Sequence, residues 1–153
     1  MKKVLVAVDD SKGSMKAIDA FVDVFSCNPP EEVVLFHTQK IEGRSLMDEM
    51  LGKAEMSTLK EELKGTDYQK ELDRRTQAIL DHFRKSLEDR GIKGIKSVVK
   101  EGHPAEEILN TAKEEGAGMI IVGSRGKRLH TLLMGSVSRE VANRADVPVM
   151  LAK

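Results

Sequence analysis

Between Val122 and Ser138 the chain places Gly123 and Gly126, the cations Arg125, Lys127 and Arg128, and then Gly135-Ser136-Val137-Ser138 at the opening of a helical pattern. The stretch follows an apolar run that reads as a strand, so it falls at the carboxyl end of the sheet, where open α/β folds bind ligands. Gly123 and Gly126 can adopt positive φ and, lacking Cβ, let backbone N–H groups approach an anion. Gly135 and Ser136 would present the unpaired N–H groups of a helix start, with its partial positive charge. Ser136 and Ser138 add hydroxyl donors, and Arg125, Lys127 and Arg128 raise the local potential. Together these parts describe a phosphate cradle. The bland alternative is a turn glycine followed by a serine that caps its own helix. Neither GxxxxGK[ST] nor GxGxxG occurs in the stretch.

Other chemistry-bearing residues are few. Asp9 and Asp10 end the first apolar run, where they would bind a sugar hydroxyl or Mg²⁺, or simply make a turn. His37 ends a buried strand and reads as structural. His103 falls at a helix cap, and His130, within the glycine stretch, reads as solvated. Cys27 is the only cysteine, which excludes an internal disulfide or a CxxC zinc site and fits a reducing cytoplasm. No nucleophile with its base, paired carboxylate or metal-ligand cluster stands at a useful spacing, so no catalytic residue is assigned.

The elements that must position these residues alternate strand and helix. Val4–Val8 and Val33–Phe36 are short runs apolar on both faces, as in buried parallel strands. Between them Ile18, Phe21, Val22 and Phe25 form a helical stripe on Ser14–Phe25, stopped by Asn28-Pro29-Pro30. Residues 44–92 read as helical in two pieces broken at Gly65, and the first carries Leu46, Met47, Met50, Leu51, Ala54, Leu59 and Leu63. Its methionines pack on the sheet or form an adaptable partner surface. Residues 39–66 are expected to be the most mobile segment. Thr66 and Gln69 make a capping box for a second helix with Tyr68, Leu72, Ile79, Phe83 and Leu87 on one face, ended by Gly91. Then come a strand at Ile95–Val99, a helix opened by Pro104 with Glu106 and Glu107 in its first turn, a strand at Met119–Val122, a helix at Ser136–Arg144 and a strand at Val147–Leu151. Five strands joined by helices imply a parallel sheet covered on both faces.

The chain has 153 residues, 25 basic and 25 acidic side chains, and only five aromatic side chains, one Tyr and four Phe. That length suits one domain spanning 1–153. Zero net charge and few stacking rings argue against nucleic acid as the partner. The first apolar run is too short for a membrane span, and no leader with a cleavage site follows.

The order of these motifs resembles the universal stress protein family over nearly the full length. The matching segments are Val4-Leu5-Val6-Ala7-Val8-Asp9-Asp10-Ser11, Val34-Leu35-Phe36-His37-Thr38, Gly102-His103-Pro104-Ala105-Glu106-Glu107-Ile108, Ile121-Val122-Gly123-Ser124-Arg125-Gly126 with Gly135-Ser136-Val137-Ser138, and Val147-Pro148-Val149-Met150-Leu151. The family's ATP-binding branch usually has nine residues where eight separate Gly126 from Gly135 here, and Thr38 stands where it usually has Val. The resemblance implies a doubly wound α/β sandwich, a five-stranded parallel sheet of order 3-2-1-4-5 with helices on both faces. It implies that Ala7, Val8, Thr38 and Val122 form a base pocket, that Asp9 accepts hydrogen bonds from ribose or the adenine edge beside Gly123, and that Gly126, Gly135, Ser136, Val137 and Ser138 hold phosphates. Mg²⁺ would bridge phosphate oxygens without a side-chain ligand of its own. In that order the last strand is an edge, and Val147, Val149 and Leu151 make it an apolar one suited to a homodimer. Three readings of function follow. The chain is a cytoplasmic ATP- or AMP-loaded stress-response switch read by an unidentified signalling protein, a slow ATPase, or a nucleotide-free interaction dimer.

Overall fold

The computed structural model describes residues 1–39, 67–124 and 134–153. The expected helix at 44–63, Thr66 of the capping box, and Arg125, Gly126, Lys127, Arg128 and His130 lie outside the described residues. The described elements are β1 (Lys3–Ala7), α1 (Lys12–Phe25), β2 (Glu32–Gln39), α2 (Asp67–Glu88), β3 (Ile95–Glu101), α3 (Pro104–Glu115), β4 (Ile120–Gly123), α4 (Ser136–Arg144) and β5 (Val149–Ala152). The strands form one parallel sheet of order β3-β2-β1-β4-β5, as the resemblance implied. Among the described residues no helix is long and apolar enough to cross a membrane.

Strand alternation divides the core into two layers. Val4, Val6, Val8, Val33, Leu35 and Ile121 point toward α1 and α2, where they meet Ile18, Phe21, Leu80, Phe83 and Leu87. Leu5, Val34, Phe36, Ile120 and Val122 point the other way, onto Ala105, Ile108, Leu109 and Ala112 of α3 and Val141 of α4. Each large apolar side chain so buried contributes about 1.5–3 kcal/mol. Exposed pairs such as Arg90–Asp19, 2.7 Å apart, add less than about 1 kcal/mol. Packing of helices on the sheet, not ion pairing, therefore sets where the loops at the carboxyl edge stand.

Several boundaries differ from expectation. α1 begins at Lys12, two residues early, and its first turn packs against β4. β2 continues through His37 and Thr38 to Gln39, paired with β3 as far as Glu101. Gln39, expected in the mobile segment, is buried, and its Nε2 donates to Asp73 of α2 at 3.0 Å. The buried face of α2 is Leu72, Thr76, Leu80, Phe83 and Leu87. Ile79 lies on its flank, and Tyr68, in the first turn, is exposed. α3 opens at Pro104 with His103 as its N-cap and closes on Gly116 in the left-handed conformation (φ 66°), which glycine adopts at little cost. Cys27, just past α1, is exposed. Val147, expected in the last strand, precedes it. Pro148 has no N–H for a ladder, and its carbonyl instead accepts the Ile120 N–H at 3.0 Å, so β5 starts at Val149.

Candidate functional site

At the end of β1 the chain turns through Asp9. The Ser11 N–H donates to Asp9 Oδ1 at 2.8 Å, an aspartate turn of the kind that favours this residue. The Ser14 hydroxyl, from the first turn of α1, accepts the Asp9 N–H at 2.7 Å and donates to Asp9 Oδ1 at 2.8 Å. Burial of Asp9 raises its pKa. The hydrogen bonds from Ser11 and Ser14, with a smaller electrostatic contribution from His37, outweigh that effect, and the carboxyl sits below the ordinary aspartate range. Asp9 is therefore an acceptor only, suited to hydroxyl or amine donors and repelled by phosphate. His37, 8% exposed at the end of β2, has Nδ1 2.8 Å from the Val8 carbonyl. With Nδ1 as the donor, it ties the ends of β1 and β2 together.

At the end of β4, Gly123 has a role different from the one expected. It is not among the positive-φ glycines, which in the described residues are Gly91, Gly94, Gly102 and Gly116. Its missing Cβ instead makes room for α1, since a Cβ there would stand 2.6 Å from the Gly13 carbonyl oxygen and 2.9 Å from the Gly13 Cα. Ser124 follows as a junction. Its N–H donates to the Ala152 carbonyl of β5 at 2.7 Å, and its carbonyl accepts the Gly135 N–H at 2.8 Å. The two ends of the glycine stretch are thus clasped at one point.

α4 starts immediately after the clasp. Gly135 is its N-cap, with extended backbone (φ −61°, ψ 155°) and no side-chain cap. The first N–H groups of a helix have no partner within it, so Ser136, Val137 and Ser138 bring donors and the positive end of the helix dipole to the crevice. Ser136 is exposed. The Ser138 hydroxyl is used internally: it lies 3.0 Å from the Gly135 carbonyl and 3.2 Å from that of Ser124, and the residue is 3% exposed. It fastens the clasp and is not a hydroxyl aimed at phosphate; what it offers an anion is its N–H.

β1 and β4 are neighbours, with Leu5 level with Ile120 and Val6 with Ile121. Carried forward, that register sets Asp9 level with Ser124, and the β1–β2 register, Ala7 level with Phe36, sets Thr38 level with Asp9. Asp9, Thr38, Gly123 and the start of α4 thus share one crest of the sheet. The four expected pocket residues do not all join them. Val8 is buried in the α1–α2 layer and Val122 in the α3–α4 layer. Successive strand residues alternate faces, so their side chains cannot wall one pocket, and only their backbone borders the crevice. Ala7 packs with the α3–α4 layer, and Thr38, two residues beyond Phe36, faces the same way. Sequence reasoning missed Gly13, Ser14 and the His37 tie; the Asp-x-Ser-x-x-Ser spacing of Asp9, Ser11 and Ser14 was the visible signal for one of them. It also missed a cleft of about 380 Å³ lined by Asp9 and Asp10 of the β1–α1 turn, Met15 of α1 and Ile79, His82 and Phe83 of α2. Among the described residues no group of three His, Cys, Asp or Glu could hold a metal ion.

The model of the universal stress protein family matches residues 1–153. The chain is 33% identical over 156 aligned residues to universal stress protein MJ0577 of Methanocaldococcus jannaschii, covering 99% of this chain and 94% of that one. It superposes on the solved structure of MJ0577 with a TM-score of 0.76, at 32% identity over 99% of this chain and 95% of the other. Universal stress protein YxiE of Bacillus subtilis is 30% identical over 99% of this chain and 98% of its own length. A universal stress protein of Archaeoglobus fulgidus, solved in complex with dAMP, shares the fold with a TM-score of 0.67 at 19% identity, over 100% of this chain and 98% of that one. Matched by the family's model from its first residue to its last, the chain belongs to the universal stress protein family.

Proposed function

We propose that the chain, as one binding domain over its whole length, holds an adenine nucleotide, ATP or AMP, at the carboxyl crest of β1 and β4. The observation that carries this reading is the pairing of opposite chemistries on one crest. An ionised carboxylate at Asp9 suits the sugar or base, and the uncapped start of α4, clasped through Ser124 and Gly135, suits phosphate. The Archaeoglobus complex with dAMP supports the choice of nucleotide, and the glycines Gly126 and Gly135 resemble the anchors of the family's ATP-binding branch, with one residue fewer between them. Gly135, Ser136, Val137 and Ser138 would bind phosphate through backbone N–H groups, with Arg125 and Gly126 completing the loop. Ala7 and Thr38 would border the base. A Mg²⁺ ion would take its oxygens from the phosphates and water, the hard ligands it prefers.

The composition makes the test simple. With no Trp and one Tyr, the protein absorbs little in the aromatic band, so nucleotide retained through purification dominates the ultraviolet spectrum with the adenine maximum. Chromatography of the heat-released ligand then counts its phosphates. A protein that purifies without adenine and binds neither ATP nor AMP in calorimetry refutes the reading.

In this reading the loaded state acts as a stress-response switch in the cytoplasm, read by a signalling protein and carried by a homodimer paired along β5. Support for the dimer comes from β5 being an edge of the sheet in which Val149, Met150 and Leu151 are only partly buried, an arrangement that invites pairing. Val149→Lys is expected to sediment as a monomer with an unchanged circular dichroism spectrum; a dimer that persists removes β5 as the interface.

A further inference from the structure

Ser14 is 4% exposed, and its hydroxyl makes both of its hydrogen bonds to one residue, Asp9. Together with the Ser11 N–H it places two donors on Asp9 Oδ1. The Ser11 side chain also acts on the carboxylate, lowering its pKa more than Ser14 does. A carboxylate held through one oxygen by two donors cannot rotate without breaking both bonds, so the position of its second oxygen is fixed as well. We propose that Ser14 is a positioning residue of the nucleotide site, holding Asp9 by one oxygen so that the other is a preset acceptor for a neutral O–H or N–H donor of the ligand. This rests on the nucleotide reading above and extends it to a residue that does not itself touch the ligand.

Among the described residues, the charged and titratable groups around Asp9 are Asp10 in its own turn, Lys12 of α1, His37 of β2 and, across the cleft, His82 of α2. Of these, His37 acts on Asp9 through its charge, whereas Ser14 acts by direct hydrogen bonding to the ionised form. Removing that bond raises the Asp9 pKa toward the ordinary range. Affinity that depends on ionised Asp9 is full above that pKa and is lost as the pH falls through it, so without the Ser14 hydroxyl the loss begins at a higher pH.

The test combines ATP calorimetry on wild type, Ser14→Ala, Asp9→Asn and the double variant with NMR titration of the Asp9 carboxyl carbon in nucleotide-free protein. Ser14→Ala is expected to weaken ATP about tenfold alone and less than about twofold in the Asp9→Asn background, and to move the Asp9 titration upward. Equal losses in both backgrounds, or an unmoved titration, overturn the proposal. If Ser14→Ala does not fold, Ser14→Thr, which keeps the hydroxyl, is expected to retain the wild-type titration and affinity, and loss of both overturns it. With 2′,3′-dideoxy-ATP the Ser14 effect vanishes if the donor is a sugar hydroxyl, and with inosine triphosphate if it is the adenine amine; an effect that survives with both overturns the proposal. If wild type binds no ATP while Ser14→Ala still shifts the titration, the nucleotide reading fails and the hold of Ser14 on Asp9 stands.

Discussion

Gly135→Val is expected to lower nucleotide affinity about a hundredfold or more, the loss of several charge-assisted hydrogen bonds at once, while the protein stays folded. The backbone at Gly135 is extended (φ −61°, ψ 155°), a conformation open to any residue, so valine adds no strain of the kind it would suffer at a left-handed glycine. Replacing a glycine N-cap costs the helix no more than about 1 kcal/mol. The branched side chain would instead stand over the first N–H groups of α4, where an anion must approach. Calorimetry with ATP, alongside thermal unfolding, separates the two effects. Affinity retained in a folded variant would show that the start of α4 is not the phosphate site.

Gly123→Ala is expected to act on the fold first and on the site as a consequence. The added Cβ would lie 2.6 Å from the carbonyl oxygen and 2.7 Å from the carbonyl carbon of Gly13. These are backbone atoms in the first turn of α1, and no rotamer change relieves the overlap. Either α1 or the end of β4 must move, at a cost of about 3 kcal/mol. For a chain of this size that lowers the thermal midpoint by about 6–12 °C. Because Ser14 rides on the same turn of α1, nucleotide affinity should fall with it. Scanning calorimetry reads the first effect, and an unchanged midpoint would show that α1 and β4 do not meet as closely as described.

Much of this arrangement is local chemistry and was legible in the order of residues. Short valine-rich runs with no polar face suit strands buried on both sides, being too brief for a buried helix. Pro104 and Gly116 bracket α3 because each restricts or permits one backbone conformation, and Ser136–Arg144 has the same bounds in the structure as in the periodicity. Gly123 ends β4 at the carboxyl edge of the sheet, where the apolar run before it had placed it. Where α2 was misread, period alone failed. Ile79 and Leu80 are adjacent and both apolar, and only the position of the sheet decides which of them is buried.

The sequence by itself determined the alternation of strands and helices and the residue types at their ends, because propensity, capping and hydrophobic period act within a few residues of chain. Only the tertiary structure decided what those residues do there. Gly123 is small for the sake of Gly13, Ser138 fastens the Ser124–Gly135 clasp, Val8 and Val122 face opposite layers, and Ser14 holds Asp9. Each of these depends on atoms brought together by crossover connections and by the packing of helices on the sheet, and contacts made across that distance leave no periodic trace in the order of residues.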